Sequence, residues 1–207
     1  MRIKFVLAVW LLGISACTST KHQLVPRYGF NFQEGERLVI AQFQSRSTVS
    51  DYATEQLLNA FQPCEDVEVV PPDTVHNFFY RNMLHVNPIW NVDIPMMVRI
   101  RQATQARYLL VGKFLDESTS RPPVSNALRH PNGYLEDIHE SYSKIQFLLY
   151  DLATHRTVLS LQTRTKARQY NHSDEDGDVM SFHAPANLTR TVINKGVKEL
   201  ADACGCK

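Results

Sequence analysis

Hydrophobic residues recur along the chain with two different periods, which predict a mixture of strands and helices. Continuous or alternating apolar runs predict strands at residues 38–43, 67–70, 108–111, 145–149 and 158–161. Apolar residues spaced three and four positions apart predict helices that begin near Ser47, Asp73, Asp93 and Leu188. The order is therefore β-α-β-α-α-β-β-β-α. We expect an α+β fold of the α/β sandwich type, in which helices pack against a mixed β-sheet.

Two polar stretches interrupt this pattern, at residues 116–141 and residues 170–185. The first contains Arg121 followed by two prolines, and the second contains an acidic run at residues 174–178. Neither stretch has the apolar periodicity on which a strand or helix prediction depends. We expect both to be long insertions outside the sheet.

The first 16 residues have the layout of a secretory signal peptide. Arg2 and Lys4 precede an apolar run from Phe5 to Ile14, which two small residues bring to an end. The run is roughly half of the about 20 apolar residues that a bilayer-spanning helix needs. We therefore expect residues 1–16 to be a cleaved signal rather than a permanent membrane span.

The residues that follow the apolar run resemble a bacterial lipobox. In a lipobox, a branched apolar residue and two small residues precede a cysteine, as Ile14, Ser15, Ala16 and Cys17 do here. The resemblance implies that Cys17 carries a diacylglycerol thioether and an acylated amino terminus, which would anchor the chain in a membrane. An ordinary signal peptide with a chance cysteine is the alternative. Because Thr18 rather than Asp follows Cys17, the sorting rule associated with these signals implies the outer membrane.

The remainder of the chain divides into a short polar segment and one domain. Residues 17–36 carry the lipidated cysteine and show no sustained periodicity, so we interpret them as a tether. Residues 37–207 have the length of a single domain with its own core. The formal net charge of the whole chain is +1, which indicates no broad basic field for nucleic acid or anionic lipid.

Three cysteines remain once Cys17 carries lipid, and the implied compartment is one in which disulfides persist. Cys64 follows the first predicted helix, whereas Cys204 and Cys206 end the last one. A bridge from Cys64 to either of them would tie the carboxyl terminus to the body of the domain. We favour Cys64 with Cys204. Pairing with Cys206, or no bridge, stays open because connectivity cannot be read from sequence.

Three further stretches carry a second resemblance. They are LVIAQF at residues 38–43, ARYLLVG at residues 106–112 and LYDLATHRTV at residues 149–158. These stretches are similar to a superfamily of periplasmic domains that includes the curli-secretion lipoprotein, lipoprotein activators of penicillin-binding proteins, the TolB amino-terminal domain and a flagellar outer-membrane lipoprotein. The chain departs from that pattern at His155, where the superfamily usually has glycine. The resemblance implies a periplasmic domain that assists a secretion, flagellar or peptidoglycan-synthesis assembly.

The sequence offers no recognisable catalytic constellation. It contains no pair of histidines at metal-ligand spacing, no Gly-x-Ser-x-Gly elbow and no phosphate-binding glycine loop. We therefore expect no enzymatic activity and no cofactor beyond the covalent lipid.

The acidic run is the one candidate cation site. Asp174, Asp176 and Asp178 match the first half of an EF-hand loop, in which alternate oxygen ligands bind calcium. Val179 stands where the turn glycine belongs and Pro185 where the bidentate glutamate belongs. The pattern therefore predicts weak calcium binding at most.

Two side chains are candidates for contact with a partner. Trp90 is expected on the rim of the domain, where large aromatic residues often anchor partners, and Arg121 lies in the first polar insertion. Together with the lipobox, these features predict a lipid-anchored protein on the periplasmic face of the outer membrane that docks onto an envelope protein complex. A homo-oligomer and a small-ligand or calcium-binding lipoprotein are the alternatives.

Overall fold

The structure is a computed structural model in which the predicted strands and helices occur in the predicted order. It describes residues 18–25, 30–44, 47–81, 92–120, 128–129, 135–173, 179–180 and 185–206. The elements are β1 (Thr18–Val25), β2 (Glu36–Ile40), α1 (Ser47–Phe61), β3 (Val67–Val69), α2 (Pro72–Arg81), α3 (Ile94–Thr104), β4 (Tyr108–Ser120), β5 (Leu128–Arg129), β6 (Leu135–Asp151), β7 (Arg156–Ser173), β8 (Val179–Met180) and α4 (Pro185–Ala203). The α+β class is confirmed.

Six strands form one mixed sheet in the order β1-β7-β6-β4-β2-β3. β2 runs parallel to β3 and β4, whereas the pairs that involve β6 or β7 are antiparallel. Helices connect the parallel strands, and a tight hairpin connects β6 to β7. His155 in this hairpin has φ 57°, a left-handed conformation that favours glycine. The position at which the superfamily usually has glycine is therefore one whose backbone conformation calls for it.

Helices cover both sides of the sheet, and strand alternation divides the apolar residues between two cores. On β2, Leu38 and Ile40 pack in the core under α1 and α4, whereas Val39 packs in the core under α2 and α3. Leu57 of α1 and Val192 of α4 are fully buried in the first core. The continuous apolar run of β2 is thus explained by burial on both of its faces.

The sheet extends further than the apolar pattern predicts. β4 continues to Ser120, β6 begins at Leu135 and β7 reaches Ser173. Parts of residues 116–141 and 170–185, expected to be insertions, are therefore strand. The sequences of these segments are mostly polar, and their backbone groups pair along the β4, β6 and β7 ladders.

The segment expected to be a tether begins with an edge strand. Residues 18–25 form β1, which pairs with β7 along its whole length, from Thr18 opposite Ala167 to Val25 opposite Ser160. Its sequence is too polar to predict a strand by periodicity, because β1 lies at the sheet edge and buries little apolar surface. The division of the chain at residue 36 stays a prediction.

Candidate interaction surface

The described helices cover the two sides of the sheet unequally. Under α1 and α4, β6 and β7 bury apolar side chains such as Phe147 and Leu161. The core under α2 and α3 contains residues of β2 and β4 and the last residues of β6, but none of β1 or β7. We call the part of this second side that no described helix covers, formed by β1, β7 and the middle of β6, the open face.

Positive charges line up across the open face. Lys21 of β1 lies opposite Arg164 of β7, and Arg164 lies opposite Lys144 of β6. Lys166 lies two residues further along β7. The Arg164 guanidinium carbon lies 4.4 Å from the centre of the Tyr142 ring, an arrangement that favours the cation. Like charges directly opposite each other on a sheet disfavour strand pairing, so the pairing of Lys21 with Arg164 does not itself stabilise the fold. On its other side, Lys144 lies opposite Asp116 of β4.

The basic row is absent from the sequence predictions, because the near-neutral net charge averages it away. The signal that reveals it is strand alternation. In TRTKA at residues 163–167, Arg164 and Lys166 occupy the positions between buried residues, and Lys144 does so between Ser143 and Ile145. Assigning the buried residues to one side of the sheet places Lys144, Arg164 and Lys166 on the other side.

The opposite side of the same strands holds β1 to the body of the domain. Thr20 Oγ1 lies 3.1 Å from Thr165 Oγ1, and His22 Nδ1 lies 3.1 Å from Thr163 Oγ1. Lys195 of α4 donates a hydrogen bond to Thr20 Oγ1 at 3.0 Å. β1 is therefore joined to both the sheet and α4 by side chains as well as by its backbone ladder.

A second surface is a shallow groove between α1 and α4. Most of its lining side chains carry amides or charges, and the lining residues are Gln56, Asn59, Ala60, Asn194, Val197, Lys198, Ala201 and Asp202. Small-molecule sites are usually enclosed and mostly apolar. This groove is open rather than enclosed, so it suits contact with a protein surface better than capture of a small ligand.

The disulfide joins Cys64 to Cys206, across a sequence separation of 142 residues. The favoured pairing with Cys204 is therefore wrong in the structure, and the alternative pairing is the one that forms. Cys204 is a buried free thiol. Burial raises its pKa to about 12, which keeps the thiol protonated and unreactive at neutral pH.

The end of α4 explains why Cys206 rather than Cys204 reaches Cys64. Gly205 has φ 76° and reverses the chain direction. The Cys206 N–H donates to the Ala201 carbonyl, and the Gly205 N–H donates to the Asp202 carbonyl, which is the Schellman pattern. In this pattern the residue after the glycine folds back toward the helix. The glycine in CGC is thus a sequence signal that favours Cys206, and we missed it.

A cluster of charged and polar side chains lies where β2 and β4 begin, and we call it the ion-pair cluster. Arg107 Nη1 donates to Glu36 Oε1 at 2.6 Å, and the Gln33 N–H donates to Glu36 Oε2 at 2.8 Å. The Tyr108 hydroxyl lies 3.3 Å from Glu36 Oε1. Burial, followed by the negative charge of Glu36, raises the pKa of Tyr108 to about 12. The cluster joins the starts of β2 and β4, and its charges are satisfied by one another.

Apart from the three disulfide candidates, the sequence-predicted site residues lie outside the described ranges, so the structure does not show how they are arranged. They are Cys17, Trp90, Arg121, Asp174, Asp176 and Asp178. Their roles in lipidation, partner contact and calcium binding stay predictions.

The described residues contain neither a metal-binding cluster nor a membrane-spanning helix. Within those ranges, no three histidine, cysteine or acidic residues converge as a metal site would require. No described helix is both long enough and apolar enough to cross a membrane.

Comparison with known proteins gives distant structural likenesses. No protein-family model matches the chain, and no curated protein sequence matches it. The fold is similar to a variant PelC dodecamer from Paraburkholderia phytofirmans, with 11% identity and TM-score 0.45, covering 92% of this chain and 100% of that one. It is similar to lipoprotein GNA1162 from Neisseria meningitidis, with 10% identity and TM-score 0.42, covering 81% and 99%. It is similar to the LpoB C-terminal domain from Salmonella enterica, with 15% identity and TM-score 0.38, covering 63% and 82%. These values are too low to place the chain in a family.

Proposed function

We propose that the chain is a non-catalytic lipoprotein of the bacterial outer membrane, which faces the periplasm and assists an envelope assembly by docking onto it. The observation that carries the proposal is the lipobox-like sequence of residues 14–17 directly before the folded domain. The lipid would fix the location of the domain and raise its effective concentration near a partner in the same envelope.

The position of β1 supports a partner at the same membrane. β1 begins at Thr18, the residue after Cys17, and is bonded along its length to β7. The domain would therefore follow the lipid with no intervening flexible linker. A synthase at the far membrane is then harder to reach than a secretion or flagellar assembly in the outer membrane, and we favour the latter kind of partner.

The described chemistry supports a role in recognition rather than catalysis. The carboxylate of Glu36 is engaged by Arg107 and by a backbone N–H group. The Cys204 thiol is buried and protonated at neutral pH. Nucleophiles and general bases require an accessible, activated group, and neither of these residues provides one.

The surface that we propose for the partner is the groove between α1 and α4, and Trp90 and Arg121 are separate contact candidates from the sequence. The groove lies on the side of the sheet away from the open face. Its amide and charged side chains offer hydrogen-bond partners of both kinds, which is typical of a polar protein interface.

Photo-crosslinking in living cells tests this proposal. A photoreactive residue would replace Asn59, Trp90 or Arg121 in turn, with exposed Glu65 as the control position outside the groove. Capture of one envelope protein from Asn59, but not from Glu65, would support docking through the groove. Capture of only a second copy of the chain would replace the accessory role with a homo-oligomer.

The anchor has its own test. We expect Cys17→Ser to move the protein from the membrane fraction to the soluble periplasm or to leave it as an uncleaved precursor. Mass spectrometry of the wild-type amino terminus should show a lipidated Cys17. An unmodified mature terminus would overturn the lipoprotein assignment.

A further inference from the structure

We infer that the open face of the sheet lies against the anionic headgroups of the membrane that holds the lipid. The inference rests on the proposed anchor at Cys17. It adds an orientation of the domain and a second, electrostatic contact with the bilayer, formed by Lys21, Lys144 and Arg164.

The first step is the length of the strands beyond the anchor. Thr18 lies opposite Ala167, and β7 continues from there to Ser173. Six residues of strand at about 3.3 Å each extend about 20 Å past the start of β1. β6 extends beside it, back to Leu135. Upright strands would drive these segments deep into a hydrocarbon core about 30 Å thick.

The sequences of these extensions oppose insertion. They read LEDIHE in β6 and RQYNHS in β7. Charged and polar residues are costly in hydrocarbon. The strands must therefore run along the membrane surface, so that a side of the sheet faces the headgroups instead of its end.

The second step is which side faces the membrane. α1 and α4 cover one side, whereas the other side presents Lys21, Lys144 and Arg164 in one row. Lys21 is four residues after Cys17, about 13 Å along an extended strand. Basic residues close to an anionic bilayer are attracted to it, and the attraction fades over about a Debye length. Charge complementarity therefore selects the open face.

Exposed apolar residues support the same side. The large hydrophobic residues that are exposed in the described ranges are Val25, Tyr80 and Ile94. Val25 is four residues after Lys21 and therefore lies on the same face of β1. Tyr80 belongs to α2 and Ile94 to α3, and both helices pack on that side of the sheet. Aromatic and apolar side chains beside basic ones are typical of surfaces that lie in a membrane interface.

The test uses the mature lipidated chain bound to vesicles. A fluorophore is attached through Gln23→Cys on the open face or through Asn59→Cys on α1, and the lipids carry a headgroup quencher. Labelling is confined to the introduced thiol, because Cys204 is buried and Cys64 is bonded to Cys206. Vesicles contain phosphatidylcholine alone or mixed with phosphatidylglycerol.

We expect quenching to be greater at position 23 than at position 59 on vesicles with phosphatidylglycerol. The difference should shrink on phosphatidylcholine alone and at high salt. The double variant Lys21→Gln, Arg164→Gln should lose it. The matched double variant Arg190→Gln, Lys198→Gln removes the same charge from α4 and should keep it.

Equal quenching at both positions, or greater quenching at position 59, would overturn the inference. So would protection of position 23 that depends on protein concentration and occurs without lipid, which would assign the open face to a second copy. A chain that fails to float with any vesicle, or that carries no lipid by mass spectrometry, would instead overturn the anchor. The two failures are therefore distinguishable.

Discussion

The two sides of β7 show how one strand can serve stability and recognition separately. Toward α4, Leu161, Thr163 and Thr165 are fully buried. Toward the open face, Arg164 lies in a basic row that crosses to Lys21 of β1 and Lys144 of β6. Packing explains the first set, whereas the second places like charges side by side on neighbouring strands. We take the contrast to mean that the covered side holds the fold together and the open side is kept for a partner.

The largest expected difference in stability is between substitutions at two adjacent residues that lie on opposite sides of β6. Phe147 has no exposed surface and packs against Phe43, whereas Gln146 lies half-buried on the open face. We expect Phe147→Ala to lower the free energy of unfolding by about 3–5 kcal/mol. Gln146→Ala removes the hydrogen bond from Gln146 Nε2 to Ser160 Oγ and should lower it by about 0.5–1.5 kcal/mol. Urea denaturation of both variants checks this, and similar losses would contradict the contrast.

The disulfide also lies on the covered side, so the next largest loss of stability is expected when its bond is removed. Cys206→Ala opens a loop of sequence separation 142, and we expect it to cost about 2–4 kcal/mol through the freedom gained by the unfolded chain. Cys204→Ala removes only a buried thiol and should cost less. Reductant should destabilise the wild type and Cys204→Ala, but leave Cys206→Ala unchanged. Sensitivity of Cys206→Ala to reductant would indicate a bridge from Cys64 to Cys204.

Because Tyr108 lies in the ion-pair cluster where β2 and β4 begin, we expect the domain to lose stability at alkaline pH. Folding raises the pKa of Tyr108 from 10.0 to about 12, because the phenolate would be buried beside Glu36. The folded state then holds a proton that the unfolded state releases, so stability is complete below pH 10.0 and falls as the pH rises to about 12.

The control for this pH dependence is Tyr108→Phe, which has no phenol to ionise. Its unfolding free energy should decline less steeply over the same alkaline range than that of the wild type. Parallel curves for the two proteins, followed by chemical denaturation at each pH, would show that Tyr108 is not the group responsible.

Much of the fold was predictable because apolar periodicity reports burial. β2 and α4 follow directly from their apolar residues, and the order of the elements is confirmed. β1 and the ends of β4, β6 and β7 were missed, because the backbone pairing that stabilises them leaves no apolar pattern in the sequence. Hydrogen bonds between strands depend on which segments become neighbours, and a single sequence does not state that.

The candidate surface was less predictable for a related reason. Lys21 is separated from Lys144 and Arg164 by more than a hundred positions, and only the register of β1, β7 and β6 brings the three together. The disulfide partner was predictable in part, since Gly205 signals the turn that carries Cys206 back to the domain.

The smallest effect, and the one that bears most directly on the open face, is an increase in stability. Lys21 lies opposite Arg164 at the edge of the sheet, so Lys21→Gln should raise the free energy of unfolding by a few tenths of a kcal/mol by removing repulsion. Lys144 lies opposite Asp116 as well as Arg164, so Lys144→Gln should give a smaller gain. Because salt screens exposed charges, the gain should shrink as ionic strength increases. Lys198→Gln on α4 is the control and should show no such gain. A stable domain that becomes more stable when its basic row is removed retains that row for a purpose other than folding, whereas a loss of stability would make the row part of the fold.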